Sequence, residues 1–184
     1  MKTANELNFE AAMKFYEVTR SALVSRVILR DNSIMFYIAG IAALAGATVQ
    51  SKELIFLMII PIVSLGVAGI VAHHNKIILG YILYLTQELQ PKFTELGITA
   101  VQWDLSHSGI TNKNVGMRYF SDVAYIAVPS LLAVFLNLKA GLLLQIIAII
   151  CVILSTIILA RSYNFHRSVD KKLSESNNML KDEE

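Results

Sequence analysis

The chain of 184 residues has few of the residues that cross-link or interrupt a fold: one cysteine, three prolines and nine glycines. With Cys151 alone, an intrachain disulfide is excluded. The sequence also has no nucleophile elbow, phosphate-binding loop, metal-ligand motif or convergent pair of carboxylates. We therefore predict that the protein is not an enzyme and uses no metal or cofactor.

Charge is missing from four long stretches, which we call spans 1 to 4. They are Asn32–Ser51, Leu54–Asn75, Val123–Leu138 and Ala140–Ala160, with 20, 22, 16 and 21 residues. A bilayer core of about 30 Å requires about 20 apolar helical residues, so three spans are long enough and span 3 is short. The first 30 residues contain no apolar signal sequence, so we expect span 1 to act as the uncleaved insertion signal. The pattern predicts an all-α integral membrane protein with four transmembrane helices.

Positive charge is nearly absent from the two short links between paired spans. Lys52 and Lys139 are the only basic residues there, whereas the other three segments carry the remaining 14 of the 16 lysines and arginines. Because basic segments stay in the cytoplasm, both termini and the middle segment are predicted to be cytoplasmic. The two short links are predicted to face outward.

Helical periodicity continues beyond the spans on the cytoplasmic side. The N-terminal segment has an apolar stripe and no proline, and the helix of span 2 is expected to continue until Pro91 stops it. With the extension of span 4, these three helices are predicted to pack as a cytoplasmic stalk. The predicted segments are the N-terminal helix (1–31), spans 1 and 2 (32–72), a helix extension and loop (73–121), spans 3 and 4 (122–160) and the C-terminal helix (161–184).

Small residues follow one face of each of the first two spans. Span 1 has Ala39, Ala43 and Ala47, with Ala42 and Gly46 beside them, and span 2 has Ser64, Ala68 and Ala72. Such faces allow close helix packing in lipid. The sequence leaves two interpretations open, which are contact within one four-helix subunit and a contact between subunits of a homo-oligomer.

Few polar side chains occur at membrane depth, and none of them is ionisable, which disfavours a coupled transporter. Gln145 is the most polar and is predicted either to line a pore or, more commonly, to bond between helices. Pro61 is expected to kink span 2. The adjacent His73 and His74 point about 100° apart and so do not match a zinc pair. The pore or gate candidates are Gln145, Ser64, Pro61, His73 and His74.

Basic residues surround the expected inner membrane surface. They can be ordinary anchors to the membrane or, repeated in a symmetric oligomer, rings of positive potential that suit phosphate groups. The candidates for binding an anionic ligand are Arg20, Arg26, Arg30, Lys76 and Arg161. The only tryptophan lies in Gln102-Trp103-Asp104, which is predicted to dock a loop onto a helix.

Several short motifs resemble those of small bacterial membrane proteins. They are Arg30-Asp31, His74-Asn75, Gly80 to Tyr84, Glu88–Pro91 and Trp103-Asp104, within residues 10–160. The architecture is similar to four-span effectors of anti-phage systems, such as the pore subunit of the Hailong system, gated by DNA oligomers, and the membrane subunit of Kiwa. The resemblance implies an oligomeric effector that depolarises the inner membrane when triggered.

Three hypotheses follow from these patterns. The first is a homo-oligomeric channel, with a tetramer expected, whose stalk senses an anionic ligand such as a DNA oligomer or nucleotide. The second is a membrane-anchored sensor or scaffold that recruits a cytosolic partner protein. The third, a small-solute exporter, is weakened by the uncharged spans.

Overall fold

The described part of the chain is built from helices of very unequal length. The computed structural model describes residues 4–95, 112–138 and 141–181, and no strand occurs among them. The α-helices are α1 (Ala4–Ser51), α2 (Ile59–Tyr84), α3 (Gln90–Glu95), α4 (Asn112–Leu136) and α5 (Leu142–Lys181). A 3-10 helix (Leu54–Met58) precedes α2, and a π-helix (Leu85–Leu89) joins α2 to α3.

Four helical stretches are long and apolar enough to cross a membrane: Glu6–Ser51, Leu54–Glu95, Tyr119–Leu136 and Leu142–Val169. The predicted all-α fold with four such helices is therefore confirmed. The 48 residues of α1 correspond to about 72 Å, more than twice the thickness of a bilayer core. The prediction that one helix contains both the N-terminal segment and span 1 is also confirmed.

The link between α1 and α2 is a tight turn at Lys52, whose φ of 59° lies in the left-handed region. A left-handed residue is a common way to end a helix, although lysine is less suited to it than glycine. The Ser51 hydroxyl accepts a hydrogen bond from the Glu53 N–H at 3.2 Å and donates to the Ala47 carbonyl at 2.8 Å. The turn therefore reverses the chain between spans 1 and 2 within two residues.

Helix α2 lies at the centre of the bundle, in contact with α1, α4 and α5, while α1 has little contact with α4. The main core has one or more buried side chains from each of these four helices. Its members are Ile34, Tyr37, Val67, Ala68, Val71, Ile126 and Leu159. A smaller cluster of Leu57, Ile60 and Ala133 fills the space near the turn at Lys52.

Pro91 does not stop the helix, contrary to the prediction. The chain continues as α3 to Glu95, and the irregularity lies just before the proline, in the π-helix Leu85–Leu89. Proline cannot donate the backbone hydrogen bond of an α-helix, and its ring clashes with the carbonyl one turn earlier. A wider π turn at that position accommodates both effects without ending the helix.

The other two prolines both lie within helices. Pro61 is the third residue of α2, which follows the 3-10 helix directly, so it lies in the first turn of α2, where its missing N–H costs little. The kink expected at Pro61 stays a prediction. Pro129 lies inside α4. Span 3 is short as a sequence run, but α4 begins well before it, at Asn112.

The N-terminal part of α1 packs against the end of the α2–α3 segment. Ala12 is buried there with Leu85, Leu89 and Phe93, and the Tyr16 and Phe93 rings meet edge to face at 6.1 Å. Two of the three predicted stalk helices are therefore in contact. The third, the extension of α5, contacts α4 through Tyr163, whose ring stacks on Tyr119 at 4.5 Å.

The structure separates the two small-residue faces. In span 2, Ser64 and Ala68 are fully buried inside the subunit. In span 1, the face is exposed along its whole length, at Ala39, Ala42, Ala43, Gly46 and Ala47. The span 2 face thus serves packing within the subunit, whereas the described part of the subunit leaves the span 1 face uncovered.

Candidate functional site

Arg30 is the most buried of the predicted ligand-binding residues, with only 5% of its surface exposed. Its Nη2 lies 3.5 Å from Oδ1 of Asp122 and 3.4 Å from Oδ1 of Asp31. Its Nη1 donates to Oδ1 of Asn75 at 3.4 Å. Since Asp122 is itself 4% exposed, this is a buried ion pair that joins α1 to α4, with α2 contributing the amide of Asn75.

The guanidinium of Arg30 is incompletely satisfied. Charge-assisted N–H to carboxylate bonds normally measure about 2.7–2.9 Å, and all three contacts are longer. Its Nε is buried and has no hydrogen-bond partner within the described residues. Nε and Nη2 form the side of the guanidinium that can hold an oxyanion with two parallel bonds. Asp122 contacts Nη2, while Nε has no hydrogen-bond partner among the described residues.

The other predicted basic residues lie closer to solvent. Arg20, Lys76 and Arg161 are exposed and Arg26 is half-buried. The Nη1 of Arg20 donates to the Tyr16 hydroxyl at 3.4 Å, at the edge of an open groove on α1. The structure does not test whether this set binds an anion, and that role stays a prediction.

His73 and His74 occupy different environments although they are adjacent. His73 is exposed and His74 is half-buried, with their ring centroids 6.0 Å apart. The positive charges of Arg26 and Arg30 act on His74, and its buried Nδ1 has no hydrogen-bond partner among the described residues. His74 therefore belongs to the polar environment of Arg30, whereas His73 faces outward.

Ser64, a predicted pore or gate residue, is part of a buried hydroxyl network between three helices. Its Oγ meets the Tyr37 hydroxyl of α1 and the Ser130 hydroxyl of α4, both at 2.5 Å. The Ser64 proton can be donated to the Ile60 carbonyl or to a neighbouring hydroxyl, and the Ser130 proton to the Ile126 carbonyl or to Ser64. Each hydroxyl has a partner, so the network holds α1, α2 and α4 together in the interior of the subunit.

Gln145 makes hydrogen bonds to the turn that joins α4 to α5, and its predicted role in a pore or between helices stays a prediction. Its Nε2 donates to the carbonyl of Leu138 at 2.6 Å and to that of Asn137 at 3.1 Å. These carbonyls follow the last turn of α4, where helical acceptors have no partner of their own. Gln145 therefore caps the end of α4 from the first turn of α5.

The described residues contain no group of three or more histidine, cysteine, aspartate or glutamate side chains that could hold a metal ion. Cys151 is buried in α5. The Gln102-Trp103-Asp104 segment lies outside the described residues, so its predicted docking role has no structural description.

Sequence reasoning missed two partners that define these sites. The first is Asp122, whose buried partner Arg30 lies 92 positions earlier in the chain. The second is Tyr37, because an aromatic residue in a span usually packs among apolar side chains. The sequence contained a weak signal for the pair of Arg30 and Asp122. Asp122 directly precedes span 3 and Arg30 lies two residues before span 1, so both are expected at the same membrane surface.

The chain was also compared with known proteins. No protein family, curated protein or solved structure was found to match it.

Proposed function

We propose that the protein is a homo-oligomeric channel of the bacterial inner membrane, gated from the cytoplasm by an anionic ligand. The observation that carries this proposal is the continuity of α1, a single helix that includes Arg20, Arg26, Arg30 and the whole of span 1. A force applied to these arginines acts directly on a membrane-spanning helix. Both termini lie in the cytoplasm, as the distribution of basic residues favours.

The need for several copies follows from the packed interior of one subunit. Residues at the centre of the bundle, among them Ala68, Val71 and Ile126, are completely buried, and the Ser64 hydroxyl network lies in the same interior. This packing favours an aqueous path between subunits rather than through one, and a tetramer is the expected assembly.

The exposed surface of α1 supports such an assembly. Its small residues in span 1 allow a second helix to approach closely. Towards the N-terminus, Phe15 and Val18 are 59% and 60% exposed, although this part of α1 extends beyond the uncharged stretch. Large apolar side chains in water favour a protein partner, and neighbouring copies supply one.

The expected ligand is a phosphate-containing anion such as a DNA oligomer or a nucleotide. In a ring of subunits, Arg20, Arg26, Lys76 and Arg161 would repeat around the axis and focus a positive potential at the inner membrane surface. Such a site would bind phosphate with a strong dependence on salt. The role in anti-phage defence rests on the resemblance of the sequence motifs.

Conductance measurements on the purified protein test the channel directly. We expect planar bilayers containing the protein to conduct after addition of short DNA oligomers on the side of the termini. In cells, a potential-sensitive dye should report depolarisation under triggering conditions. Bilayers that stay silent with oligonucleotides and nucleotides, together with a monomeric state in nanodiscs, would refute the proposal.

The second candidate is a membrane-anchored scaffold, favoured by the same exposed Phe15 and Val18 if a cytosolic protein rather than a second copy covers them. Under this alternative, a stoichiometric partner co-purifies with the chain and the reconstituted protein does not conduct. Substituting Phe15 and Val18 with serine should release that partner and leave the amount of membrane-bound protein unchanged.

A further inference from the structure

The buried pair of Arg30 and Asp122 indicates how the proposed ligand would act, and this inference rests on the function proposed above. Asp122 holds Nη2 of Arg30 through one oxygen, at 3.5 Å, and the neighbouring Nε has no partner in the described structure. A nitrogen fork suited to two oxygens is thus half occupied by a carboxylate of the same chain.

We propose that Asp122 is an internal competitor for the anion site, and that a phosphate group binds by displacing it from the Nε and Nη2 atoms of Arg30. A phosphate offers two oxygens to this fork and carries more negative charge than one carboxylate. The positive charge of Arg26 acts on the same environment and favours the incoming anion.

Displacement of Asp122 changes the contact between helices. The ion pair is a direct link between α1 and α4, two helices that otherwise have little contact. A ligand shifts a conformational equilibrium only by binding one state more tightly than the other. While Asp122 is paired with Arg30, the Nε and Nη2 atoms of Arg30 are closed to solvent. Phosphate therefore favours the state in which α1 and α4 are separated at the position of this ion pair.

Two substitutions with opposite expected effects test the competition. Asp122→Asn removes the competing charge at nearly constant volume, and Asn75→Asp adds a carboxylate at Nη1 of the same guanidinium, where the Asn75 oxygen now lies at 3.4 Å. The probe is inorganic pyrophosphate, titrated by calorimetry into the full-length protein in phosphatidylcholine nanodiscs. We expect binding roughly tenfold tighter for Asp122→Asn and roughly tenfold weaker for Asn75→Asp, as for a change of one partly screened charge.

Two comparisons make the result specific. Asp31 lies 3.4 Å from the same Nη2, but its side chain is 55% exposed, so solvent screens it and Asp31→Asn should tighten binding much less than Asp122→Asn. In an Arg30→Gln background, Asp122→Asn should no longer change the affinity, because the fork for which it competes is gone. Circular dichroism of each variant confirms that the helices are retained.

Anionic lipid headgroups share the chemistry of soluble phosphates, and the composition of the nanodisc separates the two sources. If phosphatidylglycerol reduces pyrophosphate affinity in a manner that needs Arg30, a lipid headgroup also uses the fork. If affinity is unchanged, the site takes soluble phosphate. Either result is compatible with competition by Asp122.

Equal affinities for the wild type, Asp122→Asn and Asn75→Asp would overturn the inference, and so would the absence of pyrophosphate binding by all of them. Failure of the channel proposal looks different. In that case the affinities change as expected while planar bilayers stay silent. Conversely, a ligand-gated conductance that neither Asp122→Asn nor Asn75→Asp changes would support the channel proposal and contradict the proposal that Asp122 competes with the ligand.

Discussion

Arg30 and Asp122 are both so buried that either charge would be unfavourable there without the opposite charge beside it. Taking ions out of water costs several kcal/mol for each, and a buried pair recovers this cost only when its hydrogen bonds are good. Here the bonds are long and Nε has none, so the pair contributes little net stability although it is sensitive to loss of either member.

This balance predicts opposite outcomes for single and double substitution. We expect Arg30→Met to lower the free energy of unfolding by about 3 kcal/mol, because the buried carboxylate of Asp122 loses its positively charged partner. The double variant with Asp122→Leu should return to within about 1 kcal/mol of the wild type. Unfolding in mixed micelles by titration with a denaturing detergent measures both. A double variant less stable than Arg30→Met would contradict this argument.

The hydroxyl network also makes a residue-scale prediction. Ser64→Ala removes bonds between three helices, whereas Ser155→Ala removes only a bond from Ser155 to the Cys151 carbonyl of its own helix, at a site that is buried to the same extent. Hydrogen bonds between membrane helices contribute about 0.6 kcal/mol on average. The same unfolding assay should show a loss of that order or more for Ser64→Ala and a smaller one for Ser155→Ala.

At the scale of elements, the spans were predictable because they depend on local composition alone. The continuity of α1 was predictable for the same reason, since no proline interrupts its helical periodicity between Ala4 and Ser51. The effect of Pro91 was not, because a proline after an apolar stretch can end a helix or be absorbed by a π turn, and contacts with α1 favour the second outcome here. The partners of Arg30 and Tyr37 depend on how distant helices pack, which local patterns do not report.

The contact between the N-terminal part of α1 and the end of the α2–α3 segment includes Phe93, which is fully buried. Truncation of a buried phenylalanine costs about 3–5 kcal/mol. We expect Phe93→Ala to release the N-terminal part of α1 while the spans stay folded, so that amide hydrogen exchange accelerates over residues 6–23 and is unchanged in span 2. Phe15→Ala, at an exposed position of the same helix, is the control and should leave exchange in the monomer unaltered. Uniform exchange across the chain in Phe93→Ala would argue against a separate unit.

At the scale of the whole molecule, the proposed oligomer requires a face on which two copies of the chain meet. Gly46 and Gly66 are both exposed in spans, and an added Cβ would meet nothing within 4 Å at either position. They differ in location, since Gly46 lies on the small-residue face of α1 and Gly66 lies on α2. The two glycines therefore form a matched pair for testing the interface.

We expect Gly46→Leu to shift the protein towards monomers, because a large side chain keeps a neighbouring helix at a distance. Gly66→Leu should leave the assembly intact, and both variants should fold, since both positions are exposed and an added Cβ meets nothing within 4 Å at either. Native mass spectrometry from nanodiscs measures the oligomeric state. Equal behaviour of the two variants would exclude the α1 face as the contact.

The orientation in the membrane can be tested with single cysteines. In a Cys151→Ser background, Glu53→Cys should react with a membrane-impermeant maleimide added outside spheroplasts. Glu95→Cys should react only after the membrane is permeabilised, since the positive-inside rule places it in the cytoplasm. The reverse pattern would invert the topology and move the basic residues to the outer surface.

The π-helix Leu85–Leu89 gives the molecule a mechanical property that a regular helix lacks. A π turn contains one residue more than an α turn, and one residue corresponds to about 100° of rotation around the axis. If that turn reverted to α-geometry, α3 would rotate by this angle relative to α2, and Phe93 would swing away from Tyr16. The π turn would thus couple rotation of α3 to the release of the N-terminal part of α1.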